Sequence, residues 1–400
     1  YPERTSQVFG TGMMSLLIST LVFSGSLLLF SDSLAEALNY QAHPEYIVYM
    51  ALIIGFDALT SIPFAKLRQE GKARKFAALK LFGIGVNILF NVLFFLVFPV
   101  WLSRETGILF ELAKQFYNPE TGPGYVFIAN LLASIATLLV MLPSLRFRFS
   151  DWDFSLWREQ MVYALPLLFA GLAGMVNETL DRALIRHLVT DQQDAMNQLG
   201  IYGACYKLSI LMTLFIQAFR YAAEPFFFSH AKQENAKQTY ANILYYFILA
   251  LSILFVGLTA NIEIIKYFIN SRYWVGLNAV PFLLFGYVCL GIYMNLSVWY
   301  RLSDQTRYGL YISLVGAVFT IIMNIILIPK FSYMGSAWVS MFAYFIIMVI
   351  SYLLGQKHYP IPYKLKAMSI YILVSIVLVY LSFWVFKRNI YIGNGILVLF

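Results

Sequence analysis

Charged side chains are scarce within the apolar stretches of this sequence, and those that occur there are suited to binding chemistry. Lys207, Arg220 and Glu224 fall within one such stretch, which includes the segment FIQAFRYAAEPFFF at residues 215–228. A guanidinium group presents a planar fork of donors that matches a phosphate group, and two cations at different depths of one helix suit a negatively charged ligand. We therefore predict that Lys207 and Arg220 bind an anionic group. The alternative is a local ion pair, because Arg220 and Glu224 are four residues apart and share a helix face.

Asp57 is another acid that falls in the middle of an apolar stretch, YIVYMALIIGFDALTSIPFA. A charge at mid-bilayer costs about 2.5–3.5 kcal/mol on insertion scales, so such residues normally face a protein interior or a wet cavity. Because no basic residue lies close to Asp57 in this stretch, the pattern predicts a site for Na⁺ or H⁺ at its carboxylate. Glu224 is a second candidate for this coupling role, and no other cofactor is indicated.

Further polar residues occur in other apolar stretches. Asn87 and Asn91 share a helix face and are predicted to form hydrogen bonds between helices. The segment MVNETLDR groups four more polar residues, Asn177, Glu178, Asp181 and Arg182. For Asp181 and Arg182, an interfacial ion pair and a functional role are both open.

The composition indicates the class of protein that contains these residues. Of the 400 residues, 60% are hydrophobic and only 12% are charged, whereas a soluble domain carries roughly 25% charged residues. Runs of near 20 apolar residues recur, and each can cross a hydrocarbon core about 30 Å thick. The sequence therefore predicts an all-α polytopic membrane protein of about twelve transmembrane helices. The predicted spans are residues 11–30, 46–64, 79–100, 124–144, 161–181, 200–222, 240–260, 278–299, 308–329, 335–355, 367–386 and a partial one from 390.

Basic residues concentrate in loops on the side of the N-terminus, most clearly in KLRQEGKARKFAALK at residues 66–80. The positive-inside rule therefore places the N-terminus, as given, in the cytoplasm. These loops account for the net charge of +8, which does not indicate nucleic acid. The sequence has no HExxH, GxSxG or Walker A motif, all four histidines fall in predicted loops, and the longest connection, 101–123, is too short for a catalytic domain. Enzymes and ATP-driven pumps therefore have little support.

Three stretches share a pattern of hydropathy and polar residues: ALPLLFAGLAGMVNETLDRALIRHLV, LGIYGACYKLSILMTLFIQAFRYAAEPFFFSHA and FDALTSIPFAKLRQEGKARKFAALKLFGIGVNILFN. The first two resemble the seventh and eighth helices of polysaccharide-biosynthesis flippases of the Wzx type, and the third resembles the fourth and fifth. These flippases belong to the superfamily of the MATE exporters and the lipid II flippase. The resemblance implies two pseudo-symmetric helical lobes in a V around a central cavity. It also implies that the first span here is the family's third, so that the first two helices are lacking.

On this resemblance the chain divides into four parts. A truncated N-lobe of four helices at 1–145 precedes a cytoplasmic interfacial linker at 146–160. A C-lobe of six helices follows at 161–355, and an additional helix pair occupies 356–400.

The resemblance implies translocation of an undecaprenyl-pyrophosphate-linked oligosaccharide, such as an O-antigen or capsule repeat unit, by alternating access. The substrate would pass from the cytoplasmic to the periplasmic leaflet of the bacterial inner membrane. Lys207 and Arg220 would bind the pyrophosphate, and Asn177, Glu178 and Asn295 would contact the rest of the substrate. The implied partners are this lipid-linked substrate, membrane lipids and polysaccharide polymerase or assembly proteins.

Three other functions remain open from the sequence. One is a MATE-like, ion-coupled exporter of cationic compounds, for which a cavity dominated by carboxylates is expected. A second is a membrane enzyme of glycan assembly, for which a long outer loop or an intramembrane histidine is expected. A scaffold without transport is a third, but it leaves the charges within the membrane unexplained.

Overall fold

The computed structural model describes residues 5–38, 40–103, 106–145, 147–189, 192–231 and 233–400. Over these residues the chain is all-helical, and every predicted span coincides with a helix. The main helices are α1 (Thr5–Leu29), α2 (Glu45–Gln69), α3 (Ala73–Val92), α4 (Gly124–Met141), α5 (Phe154–Leu188), α6 (Gln192–His230), α7 (Ala236–Ala260), α8 (Val280–Leu296), α9 (Arg307–His358), α10 (Leu365–Tyr380) and the shorter α11 (Ile390–Leu399).

Helices are the expected outcome for these apolar runs, because a helix satisfies its own backbone polar groups where no water can do so. Ten helices in the described part of the chain are long and apolar enough to cross a membrane. One of them, α9, has 52 residues and would be about 78 Å long if straight, far more than one crossing needs. It is broken at Ser332, whose φ of 50° is disfavoured for a residue other than glycine, three residues after Pro329. Counting its halves, 307–331 and 333–358, separately and adding the short apolar helix α11 gives the twelve segments that the sequence predicts.

The first compact unit comprises Tyr1–Met161. In it α2 packs against α1 and α4, and α3 packs against α4. Asn87 on α3 donates to the side chain of Asn130 on α4 over 2.5 Å, and Asn91 donates to Asn87 over 2.9 Å. The predicted hydrogen bond between helices is therefore confirmed for Asn87, whereas Asn91 bonds to Asn87 within α3.

The second compact unit comprises Val162–Phe400. Its core is formed by α6, α7 and α8, and most of the side chains of α8 are buried. Gly286 lets the backbone of α8 approach α9, because a Cβ atom there would lie 3.2 Å from the Cα of Met341. Helices α10 and α11 pack against α7 within the same unit. The side chain of Asn261, the residue that follows α7, exchanges hydrogen bonds of 2.9 and 3.0 Å with that of Asn394 on α11.

Two element boundaries differ from the sequence-based expectation. The predicted linker, 146–160, contains a short 3₁₀ turn, Phe149–Asp151, and the first turns of α5, while Arg146 lies outside the described residues. The predicted sixth span ends near residue 222, whereas α6 continues through Pro225 to His230. Proline removes one backbone donor from the helix, and this loss does not end α6.

Candidate functional site

A cavity lies within the second unit, among α6, α7, α8 and the short helix Val298–Leu302. Its polar lining consists of Arg220, Glu224, Asn295 and Arg301. The rest of the lining is apolar and includes several phenylalanines. The structure thus brings together three residues that the sequence singles out, Arg220, Glu224 and Asn295, and adds Arg301.

The segment FIQAFRYAAEPFFF supplies one wall of this cavity. Ile216, Arg220, Ala223, Glu224 and Phe227 all line it. Their spacing of three or four residues places them on one face of α6. The two charges in this apolar segment therefore share a face with aliphatic and aromatic side chains that close the cavity around them.

Glu224 forms its ion pair with an arginine from another element. Its Oε1 lies 2.6 Å from Nη1 of Arg301, whose Nη2 donates to the hydroxyl of Ser297 over 2.7 Å. The alternative prediction of a local Arg220–Glu224 pair is therefore wrong. The physical reason is that the short helix Val298–Leu302 brings a guanidinium group to the carboxylate and holds it there through Ser297.

Two donors in the cavity are buried without a hydrogen-bond partner among the described residues. They are Nε of Arg220 and Nδ2 of Asn295. The guanidinium of Arg220 lies 5.7 Å from the ring of Tyr221, which is a cation–π distance. A buried donor without an acceptor costs about 1–3 kcal/mol, so the cavity is complementary to a ligand that supplies acceptor oxygens.

The remaining predicted cation, Lys207, is not part of this cavity. Its side chain is exposed, and 13 residues of α6, about 20 Å of helix rise, separate it from Arg220. A helix turns by about 100° per residue, so the two residues also point in different directions around α6.

Asn177 and Glu178 lie on α5, away from the cavity. Asn177 is buried and accepts a hydrogen bond of 2.8 Å from the hydroxyl of Thr320 on α9. Glu178 is exposed and accepts a hydrogen bond of 3.3 Å from the hydroxyl of Tyr206. The hydrogen bond of Asn177 therefore connects α5 to α9. Substrate binding by Asn177 or Glu178 stays a prediction.

Asp57 occupies the middle of α2 in the first unit, as predicted, but its side chain is exposed. Its backbone carbonyl accepts a hydrogen bond from Thr60. Within the described ranges its carboxylate has neither a hydrogen-bond donor nor a cation as a partner. A coupling role for Asp57 stays a prediction.

Sequence reasoning gave too little weight to Asp181. Its carboxylate is fully buried and accepts hydrogen bonds from the hydroxyl of Tyr202 and, over 2.7 Å, from the backbone amide of Arg182. The hydroxyl of Ser340 lies 3.5 Å away. No ion pair joins Asp181 to Arg182 in the described part of the chain; the guanidinium of Arg182 lies 4.0 Å from the centre of the Tyr206 ring.

Arg301 was not predicted as a site residue, because it falls in a predicted loop. Its spacing of four residues from Ser297 is the signal that could have placed it on a helix, since residues four apart share a helix face. The acidic partner 77 residues earlier in the chain has no signature in the sequence.

No protein-family model and no curated protein matches this sequence. Solved structures do match it over most of its length. A MOP superfamily transporter from Pyrococcus furiosus is 14% identical with a TM-score of 0.66, and the match covers 92% of this chain and 80% of that one. The Vibrio cholerae MATE transporter VcmN, solved as a point mutant, is 12% identical with a TM-score of 0.65, covering 89% of this chain and 79% of that one.

A multidrug resistance MATE family transporter, solved in an outward-facing conformation, is 13% identical with a TM-score of 0.66, and the match covers 91% of this chain and 79% of that one. At such identities the likeness concerns the fold. The chain is thus a multi-pass, all-helical membrane protein with the fold of the MATE and MOP superfamily transporters.

Proposed function

We propose that this chain is a transporter that moves a lipid-linked saccharide across a bilayer by alternating access, and that it binds the phosphate groups of its substrate. The observation that carries the proposal is the cavity in which Arg220 and Arg301 lie with Asn295. Two guanidinium groups face one carboxylate there, so one positive charge is in excess, and two buried donors lack an acceptor among the described residues.

A pyrophosphate group suits this lining better than a neutral or cationic ligand does. A pyrophosphate supplies several acceptor oxygens, and its negative charge balances the guanidinium group of Arg220, which is not paired with Glu224. The full proposal is the one that the resemblance to Wzx-type flippases implies: an undecaprenyl-pyrophosphate-linked oligosaccharide moves from the cytoplasmic to the periplasmic leaflet of the bacterial inner membrane. The cytoplasmic N-terminus and the polymerase or assembly partners belong to the same proposal.

Energy coupling through Na⁺ or H⁺ is part of the proposal. Asp57 and Glu224 are the acids that the sequence singles out for it. Asp181 is a third candidate, because its buried carboxylate has no basic side chain paired with it among the described residues. Asp57→Asn, Glu224→Gln and Asp181→Asn variants separate these candidates in reconstituted vesicles: the coupling acid is the one whose loss removes the dependence of transport on the imposed ion gradient.

Export of cationic compounds is the second candidate function, because two of the similar structures are named as MATE transporters. For the Pyrococcus furiosus transporter, the reverse polarity of its binding pocket is said to suggest a different function. In the present chain two arginines against one glutamate favour an anionic substrate. An enzyme of glycan assembly is disfavoured by the fold, since the structures that match are those of transporters.

A reconstituted system tests the proposal directly. Purified full chain in vesicles is given a fluorescent polyprenyl-diphosphate saccharide or a fluorescent organic cation, with protein-free vesicles as the control. We expect accelerated movement of the lipid-linked saccharide between leaflets and no accumulation of the cation. Movement of the cation alone would overturn the proposal in favour of MATE-like export.

A further inference from the structure

Glu224 is the one acidic residue among the described residues that line the Arg220 cavity, and its carboxylate forms an ion pair with Arg301. A cavity that binds phosphate would gain affinity if both guanidinium groups were available. Instead, one of them already has an internal carboxylate 2.6 Å away, while Nε of Arg220 has no hydrogen-bond partner in the described structure. The Glu224–Arg301 pair therefore lowers the affinity of the cavity for an anionic ligand.

We propose that Glu224 is an internal competing anion: a substrate phosphate displaces it from Arg301 when it binds, and Glu224 reclaims Arg301 when the substrate leaves. The inference rests on the proposed function and adds a residue that makes phosphate binding reversible. In the free state Arg220 provides the open donor that receives the phosphate, and Arg301 becomes its second partner.

The positions of Arg220, Glu224 and Arg301 around one cavity suit this exchange. Arg220 and Glu224 are one turn apart on the same face of α6, so a phosphate bound at Arg220 lies beside the carboxylate. Arg301 stays positioned by its 2.7 Å hydrogen bond to Ser297 when Glu224 turns away. The carboxylate is about one-third exposed, so it can leave the pair for a more hydrated position at a modest cost.

A transporter needs such a device because a site that holds its substrate too tightly cannot release it. Two arginines that converge on a pyrophosphate in a largely apolar cavity would form strong charge-assisted hydrogen bonds. Competition from Glu224 lowers the affinity for the bound phosphate. After the phosphate is released, Glu224 pairs with Arg301 again. The pair is thus predicted to reduce affinity and to raise the rate of turnover.

The Glu263–Lys266 ion pair is a matched control in the same unit. The side chains of Glu224 and Arg301 are 33% and 18% exposed, and those of Glu263 and Lys266 are 31% and 15% exposed. Glu263 also lies 3.5 Å from Arg388, and Lys266 lies 4.2 Å from the ring of Trp274. Removing the charge of Glu263 therefore removes a similarly buried ion pair without touching the Arg220 cavity.

The experiment compares Glu224→Gln with Glu263→Gln in the purified full chain. Binding of farnesyl diphosphate, a short polyprenyl diphosphate, is measured by calorimetry, and transport of a lipid-linked saccharide is measured in vesicles. We expect Glu224→Gln to bind about fivefold more tightly, the equivalent of about 1 kcal/mol, and to transport more slowly. Glu263→Gln should bind and transport as the wild type does.

The outcomes separate the inference from the proposed function. If Glu224→Gln binds the diphosphate more weakly or equally, Glu224 is a positioning residue for Arg301 and the inference is wrong, while the proposed function stands. If the wild type binds no diphosphate and moves no lipid-linked saccharide, both fail. Should Glu224→Gln not fold, Glu224→Asp keeps the charge but shortens its reach, and a smaller gain in affinity is expected; its absence overturns the inference.

Discussion

Two polar clusters lie along α6, and they differ in how completely their hydrogen bonds are made. Around Tyr202 the buried carboxylate of Asp181 receives bonds from a hydroxyl and a backbone amide. Around Arg220, 18 residues and about 27 Å further along the helix, two buried donors have no acceptor in the described structure. A cluster that satisfies itself stabilises the packing of its helices, whereas one that leaves donors unpaired is stabilised by a ligand.

The comparison predicts opposite consequences for stability and binding at the two ends. Truncating a residue of the Asp181 cluster should lower stability, because partners are left unpaired. Truncating Arg220 should leave stability unchanged or raise it, because an unpaired buried donor is removed, while binding is lost. A conflict of this kind between stability and activity is common at functional sites.

The largest expected effect is that of Arg220→Leu on binding. We expect the affinity for farnesyl diphosphate and the transport rate to fall on the order of a hundredfold, with no decrease in the unfolding temperature. Arg272→Leu is the control, since Arg272 also lies over the tyrosine that follows it but is outside the cavity. Equal losses in both variants would remove the distinction between the two clusters.

Asp181→Ala is expected to lower the free energy of unfolding by about 2 kcal/mol, because the buried hydroxyl of Tyr202 loses its carboxylate acceptor and keeps only the hydroxyl of Ser340, 3.3 Å away. Thermal unfolding of the purified chain measures this effect. Binding of farnesyl diphosphate to the folded variant should not change. An Asp181→Ala protein as stable as the wild type, but unable to bind, would reverse the roles assigned to the two ends of α6.

Thr320→Val tests whether Asn177 belongs to the packing or to a ligand site. The substitution removes the hydroxyl that donates to Asn177 and should cost about 1 kcal/mol of stability, with unchanged affinity for the diphosphate. Asn177 is buried beside Gly316, where a Cβ atom would lie 2.8 Å from its Nδ2. Lost affinity at unchanged stability would support the sequence-based assignment of Asn177 to the substrate.

Lys207→Gln should have the smallest effect. Because the side chain is exposed and lies outside the cavity, we expect its removal to change the affinity for the diphosphate by less than about threefold. Repeating the titration at high salt checks the reason, since a long-range contribution of Lys207 would be screened. A tenfold loss would show that the substrate contacts α6 well beyond the cavity.

Much of the fold could be predicted from the sequence, and less of the site. All the predicted spans are helical, because a long apolar run that crosses lipid has to satisfy its backbone locally. Glu224 was harder to assign, because Arg220 is near in sequence whereas its actual partner, Arg301, is 77 residues away. Asp181 illustrates the same limit, since Ser340 is 159 residues from it.

The sequence by itself determined that the chain is a polytopic helical membrane protein and which charges fall within an apolar run, since both follow from the local order of apolar and polar residues. Only the tertiary structure decided which charges are enclosed and with whom they pair. Asp57 and Asp181 both fall within apolar helices, yet one is exposed and the other fully buried. The physical reason is that an apolar run is a property of one helix, whereas enclosure depends on which neighbouring helices pack against each of its faces.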